Sequence, residues 1–508
     1  MTTQQATAEE TSVDVNRRAS ERGESRLFIG GELVPARSGE EFENHAPATG
    51  ARLGVTAAAG TQDMDAAISA ARSAFDAEVW SRDRALRKRC LLQLQEALEA
   101  ERAEIADELM SEVGAPRMTM DIAQLNWPLL DALTYPADLI DTFAWERDLG
   151  PGAVSDARNK RLAVKEPVGV VAAIAPWNFP LEINLNKLGQ ALATGNTVVL
   201  KPDPNTPWNA TRLGRLIAEK TDFPAGVVNV VPTPDNAVAQ QLVTDPRVDL
   251  VSFTGSTAVG QLIARLSADR VTNTFLELGG KSAMVILPDA DIDSAIINSM
   301  QVCVHAGQGC AINTRLLVHR SQYERATELV AGLYQSIQPG DPASPGTLLG
   351  PVINPKQHER ILGYIERARQ AGGEIVTGGG APTDLPAHLQ GGTYVESTLI
   401  RGLDNSAEAA QDEIFGPVMV LLAYDDVDEA LAIANDSRYG LSGSVFAGSA
   451  ETGLDFARRM RTGSVMVNGG MFYGADAPYG GYKQSGVGRQ NGVEGFEQYL
   501  ETKIIGYH

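Results

Sequence analysis

The chain holds 508 residues, of which 43% are hydrophobic, 21% charged and 6% aromatic, a composition that excludes a single small module, a collagenous chain and a disordered one. Its 43 Lys and Arg against 64 Asp and Glu leave a net charge of −21, and with no basic run this excludes nucleic acid as an expected partner, since phosphate binding rests on clustered cations. Three cysteines are too few for a disulfide framework, and Cys90, Cys303 and Cys310 lack zinc-site spacing, so a reducing compartment and no metal are expected.

Residues 1–25 carry no apolar signal segment and read as a disordered tail, which makes the protein cytoplasmic on this reading. No apolar run approaches the ~20 residues of a membrane span, so no membrane partner is expected. Leu27–Val34 reads as a strand pair turned at Gly30-Gly31. Thr61 reads as the cap of a helix with Met64, Ile68, Ala71 and Phe75 on one face. One long helix is predicted over residues 84–113, with Leu91, Leu94, Leu98, Ile105 and Leu109 as its buried stripe and Gly114 as its stop.

From Val168 onward, apolar β-rich runs at 169–175, 197–201, 227–231, 250–253 and 274–277 alternate with helical stretches, one of them Trp208–Lys220. Strands apolar throughout and separated by helices predict a parallel sheet covered on both faces, with ligands at the carboxyl ends of its strands. After Gly279-Gly280 a second α/β series is predicted, with strands at 282–287, 315–318, 417–424, 442–447 and 463–468, and residues 372–392 read as a surface loop within it.

Cys310 lies in His305-Ala306-Gly307-Gln308-Gly309-Cys310-Ala311, where small neighbours leave room for another molecule. It is either a nucleophilic thiolate or one more buried small hydrophobe, and Cys303 reads as the latter, within a helical run. Glu277, inside Phe275-Leu276-Glu277-Leu278-Gly279-Gly280, is either a general base raised toward neutrality by burial or a strand-end carboxylate in a salt bridge. Asn178, bracketed in Pro176-Trp177-Asn178-Phe179-Pro180, is either an oxyanion donor or a turn residue. Thr254-Gly255-Ser256-Thr257-Ala258-Val259-Gly260 opens a helix whose free N–H groups suit phosphate, and Lys201 at another strand end suits ribose or phosphate.

With these segments in this order, and with Glu413-Ile414-Phe415-Gly416-Pro417 and Pro478-Tyr479-Gly480-Gly481-Tyr482-Lys483-Gln484-Ser485-Gly486 beside them, the chain resembles the NAD(P)-dependent aldehyde dehydrogenase superfamily from about Leu27 to its end. The resemblance implies an α/β fold with a Rossmann-type cofactor domain over 26–149 and 166–278, a catalytic domain over 279–484, and a small β oligomerisation element over 150–165 and 485–508. A homodimer or homotetramer is the expected assembly.

By position, the resemblance makes Cys310 the nucleophile, Glu277 the general base, and Asn178 with the Cys310 backbone amide the oxyanion donors. Trp177, Lys201, Gly255, Ser256, Gly260, Leu278, Glu413 and Phe415 fall on cofactor positions. Phe179, Ile183, Asn186, Gly309, Ala311, Tyr473 and Tyr479 fall on the substrate tunnel and favour a medium-sized aliphatic, terpenoid or aromatic aldehyde. The implied reaction runs through a thiohemiacetal and a thioester that Glu277-activated water hydrolyses. NAD is the expected cofactor. Pro204 stands where many NAD-preferring relatives have a glutamate, which leaves NADP as the alternative. A CoA-acylating semialdehyde dehydrogenase and a catalytically silent binding protein on the same fold are the competing functions; Glu277 and Cys310 oppose them respectively.

Overall fold

Strands without a polar face cannot lie against water, and the chain buries those between Val168 and Glu277 in the middle of an eight-stranded sheet. The computed structural model describes residues 10–154 and 158–508. In spatial order this sheet runs Gly486–Val487, Asn273–Glu277, Leu250–Thr254, Val170–Ile174, Thr197–Lys201, Val228–Val230, Leu27–Ile29 and Glu32–Val34. The five inner members from Asn273–Glu277 to Val228–Val230 are parallel, and the outer ones are antiparallel additions. Alternation divides the inner strands between two cores: Val171, Ala173, Val198 and Leu200 meet the helices Pro180–Ala193 and Pro207–Lys220 on one face, while Val170, Ala172 and Val199 meet Ile68, Ala71 and Ile263 on the other.

A second sheet of seven strands orders Glu374–Thr377, Thr398–Arg401, Val418–Tyr424, Asn313–His319, Ser282–Ile286, Gly443–Phe446 and Met466–Val467. In a third, Leu500–Tyr507 pairs along its whole length with Lys160–Pro167, whose other side takes Glu146–Asp148. Among the described residues no helix is long and apolar enough to cross a membrane.

Several expectations are corrected. The supposed tail contains a helix, Ser12–Arg22, held by Asp341, which accepts from the Ser12 backbone at 3.1 Å, and by Arg18, whose guanidinium reaches Asp107 at 2.7 and 2.8 Å. Its apolar stripe is only Val15 and Ala19, too thin to register in so polar a segment. Positions 1–9, and 155–157 of the predicted oligomerisation element, lie outside the described residues. The long helix is two, Arg84–Ala100 and Arg102–Val113, broken where Glu101 leaves helical geometry. The cap of the helix Thr61–Asp76 is Gly60, whose N–H donates to Asp63 at 3.0 Å. Residues 372–392 contain the edge strand Glu374–Thr377, and of 463–468 only Met466–Val467 pairs. Cys303 follows a helical run as expected, in 3-10 form over Ile296–Val302. Gly486–Val487 joins the first sheet rather than the third.

Candidate active site

The carboxyl ends of the strands Val170–Ile174, Leu250–Thr254 and Asn273–Glu277 open on a cavity of about 730 Å³, closed from the other side by loops of the second α/β series. Every position that the resemblance assigned to catalysis, cofactor or substrate lines it except Lys201 and Gly260. Gly260 packs in the first turn of the helix Thr257–Ala268, where a side chain would collide with Leu278. Lys201 ends its strand one place over, and its ammonium has no hydrogen-bond partner among the described residues.

Cys310 follows three consecutive residues with left-handed backbone, His305, Ala306 and Gly307. At Gly307 (φ 69°) a side chain would also lie 2.1 Å from the carbonyl oxygen of Gly416, so the bare backbone docks this loop onto the loop 413–417. Gln308 pins the turn, accepting the Ile353 N–H at 2.9 Å and donating to the carbonyls of His305 and Pro351. The Cys310 thiol is half-buried, whereas Cys90 and Cys303 are buried. Its sulfur lies 3.1 Å from the Tyr479 hydroxyl; burial pushes the thiol upward, and the hydrogen bond to Tyr479 opposes that shift.

Asn178 is 4% exposed, and its amide donates to the Gln308 carbonyl at 2.8 Å, which leaves one amide hydrogen uncommitted. Its own carbonyl accepts from Gln124 at 2.7 Å and lies 2.9 Å from the His305 ring. Glu277 is 5% exposed, and its Oε1 has no hydrogen-bond partner among the described residues. Burial drives this carboxyl well above its ordinary range, against the opposing pull of Lys187 and Arg489. The Lys187 ammonium, lowered to about 7 by burial, donates to Ser252 at 3.0 Å, and Ser252 lies 3.0 Å from the Tyr499 hydroxyl.

Glu413 is cradled by the glycine pair. Gly280 donates to it at 2.9 Å, and any side chain at position 279 would overlap its carboxylate. Arg360 and Gln357 hold the loop by donating to the carbonyls of Glu413, Ile414 and Phe415, and the Phe415 ring meets Trp177 edge to face at 5.4 Å. Ser256 caps the helix Thr257–Ala268, while Gly255 donates to the Glu277 carbonyl at 3.0 Å. Elsewhere along the cavity Tyr473 stacks on Trp127 at 5.2 Å and Tyr479 on Phe472 at 6.2 Å, with Asn186 donating to Tyr473 at 3.5 Å.

The sequence reading missed Gln308, His305, Lys187 and Glu182. Glu182, in the first turn of Pro180–Ala193, lines the cavity without a hydrogen bond or ion pair among the described residues, and burial pushes it up to about 8. A charged residue in an otherwise buried helix was the available signal for Glu182 and Lys187 alike.

The family model of the aldehyde dehydrogenase family matches residues 33–505. A putative aldehyde dehydrogenase, DhaS, of Bacillus subtilis is 35% identical over 95% of this chain and 96% of its own. A 3-succinoylsemialdehyde-pyridine dehydrogenase of a Pseudomonas species is 37% identical over 95% and 98%. Among solved structures, a mutant of the P. syringae indole-3-acetaldehyde dehydrogenase AldA in complex with NAD+ and IAA superposes with a TM-score of 0.92 at 36% identity, covering 98% of this chain and 99% of that one. The chain is therefore an enzyme of the aldehyde dehydrogenase family.

Proposed function

We propose that the enzyme oxidises a medium-sized aldehyde to its carboxylic acid, with Cys310 as nucleophile, Glu277 as general base, and Asn178 and the Cys310 backbone N–H as oxyanion donors. The observation that carries this reading is the meeting, in one cavity, of Cys310, the one cysteine among the described residues that is not fully buried, with a buried carboxyl whose Oε1 has no hydrogen-bond partner among them.

The donor set fits a dinucleotide. A Ser256-capped helix N-terminus and Gly255 suit a pyrophosphate, the unpartnered Lys201 suits an adenosine ribose, and Glu413 suits a second ribose. Trp177, Phe415 and Leu278 supply apolar walls along the same path. Bound there, a nicotinamide dinucleotide supplies the hydride acceptor. NAD is the first choice, supported by the NAD+ complex of the similar AldA; NADP remains second, because Pro204 offers no charge against a 2′-phosphate.

The chain's own part follows from its geometry. Once the Cys310 thiol has lost its proton to water, its Sγ bonds to the carbonyl carbon, and the oxygen that becomes an alkoxide is held by the uncommitted Asn178 hydrogen and the Cys310 amide. Once that carbon is oxidised, a thioester remains on Cys310. Glu277 takes a proton from a water as it adds to the thioester, and breaking the C–S bond frees the acid and restores the thiolate.

Phe179, Ile183, Asn186, Gly309, Ala311, Tyr473 and Tyr479 make a tunnel wall that is mostly apolar, and burial of Glu182 beside it disfavours the charged form of that carboxyl. This suits an aliphatic, terpenoid or aromatic aldehyde, and the pyridine and indole names of the two relatives favour the aromatic end. The outer edge of Leu500–Tyr507, with Ile504 59% and Ile505 41% exposed, suits a second copy of the chain in a homodimer or homotetramer. The test is reduced-nicotinamide absorbance with straight-chain, branched and aromatic aldehydes, each run with NAD and with NADP. Signal with aromatic or branched aldehydes, strongest with NAD, is expected; no signal with either dinucleotide, although both bind, overturns the reading.

A further inference from the structure

We propose that Tyr479 is a catalytic residue, whose phenol donates a hydrogen bond to Cys310 Sγ and stabilises it as the thiolate. The contact is direct, Tyr479 Oη lying 3.1 Å from Sγ, and Sγ is its hydrogen-bond partner among the described residues. Tyr479 is also fixed at both ends. Its backbone exchanges two hydrogen bonds of 2.7 Å with Gln490, and its ring lies between Phe472, stacked at 6.2 Å, and Tyr473, edge-on at 6.3 Å. A side chain that only lined a tunnel would need neither this anchoring nor a hydroxyl.

The surroundings of the sulfur show why a donor matters. The titratable groups acting on Cys310 from the packed elements are Glu277 at the end of its strand, Glu182 from the helix Pro180–Ala193 and Glu413 from its loop; each of them, where ionised, opposes a negative sulfur, and none supplies a positive charge to it. The neighbouring cation-forming groups are engaged elsewhere, His305 with the Asn178 carbonyl and Lys187 with Ser252. The Tyr479 O–H is thus the side-chain donor that meets the thiolate, and a hydrogen bond to a charged group is among the stronger ones. The phenol keeps its proton throughout, because burial holds it well above the ordinary tyrosine range and a negative Cys310 raises it further. When sulfur bonds to the substrate carbon its charge is lost and this hydrogen bond weakens.

Although it rests on Cys310 being the nucleophile, the proposal is tested by labelling rather than turnover, so the two can fail separately. The experiment is the pH profile of Cys310 alkylation by iodoacetamide in the full chain, read on the Cys310 peptide by mass spectrometry, for wild type and Tyr479→Phe. Loss of the donor is expected to raise the midpoint by about one pH unit. Because the more basic thiolate is the better nucleophile, with a Brønsted slope of about 0.4–0.5, the profiles should cross. Tyr479→Phe should label about threefold more slowly at neutral pH and about threefold faster on the alkaline plateau. Superimposable profiles, or rates scaled equally at every pH, reduce Tyr479 to a tunnel wall and overturn the proposal. Should the variant not fold, 3-fluorotyrosine at position 479 keeps the shape and strengthens the donor, and must then move the midpoint downward; an unchanged or raised midpoint is the contrary result.

Discussion

Glu277 and Glu112 are both buried glutamates, and their surroundings differ in one respect. Glu112, in the helix Arg102–Val113, accepts from the backbone N–H groups of Trp208 at 2.8 Å and Asn209 at 3.2 Å and from the Asn44 amide, thereby closing the N-terminus of Pro207–Lys220. One turn earlier Glu108 pairs with Arg212, whose Nε donates to it at 2.8 Å. Glu277 keeps an oxygen without a partner and faces a cavity beside a thiol. Desolvation raises both carboxyls, Glu112 to about 8 and Glu277 well above its ordinary range, so the shift alone does not tell a structural acid from a reactive one. Satisfaction does: a buried carboxylate whose acceptors are filled organises the fold, and one left open is available to a reacting molecule.

That contrast sets an order of expected effects. The largest falls on the proposed nucleophile. Cys310→Ala should lower turnover by about 10⁴-fold or more while dinucleotide binding, followed by fluorescence quenching, persists. Residual turnover close to wild type would mean that another group attacks the aldehyde.

Glu277→Gln comes next, with hydrolysis of the acyl-enzyme slowed by about 10²–10⁴-fold. The sign of its pH dependence follows from the raised carboxyl. Only the ionised form accepts a proton, so wild-type deacylation should climb from neutral pH toward the folded-state value and level off above it. In the glutamine variant that rise should vanish, as single-turnover rates across pH would show. The smallest effect belongs to the satisfied acid. Glu112→Ala strands three donors and should cost about 3 kcal/mol in denaturant unfolding, with the turnover of the remaining folded enzyme unchanged. Were it to lower turnover without touching stability, the division between the two glutamates would collapse.

Much of this architecture is legible in the sequence, for identifiable reasons. The inner strands of the first sheet fall within a residue or so of their predicted bounds because strands buried on both faces are apolar from end to end. The break at Glu101 is not legible, since the apolar stripe from Leu91 to Leu109 continues across it, and the helix Ser12–Arg22 hides behind its charged face. Motif positions from Trp177 to Tyr479 gather around one cavity, with Lys201 and Gly260 outside it. What the motifs withhold is orientation. No spacing announces that Glu182 faces the cavity from a helix with mostly buried neighbours, that left-handed geometry at His305 and Ala306 aims the cysteine loop, or that the Tyr479 hydroxyl reaches sulfur. These depend on contacts between residues far apart in the chain.

The most direct test of the division of labour between thiol and carboxyl is the intact mass of Glu277→Gln after brief mixing with an aldehyde substrate and the dinucleotide. A gain equal to the acyl group, mapped to the Cys310 peptide and stable for many wild-type turnovers, is the predicted result. An unmodified protein under conditions where reduced nicotinamide has formed, or an adduct on Cys90 or Cys303, would contradict it.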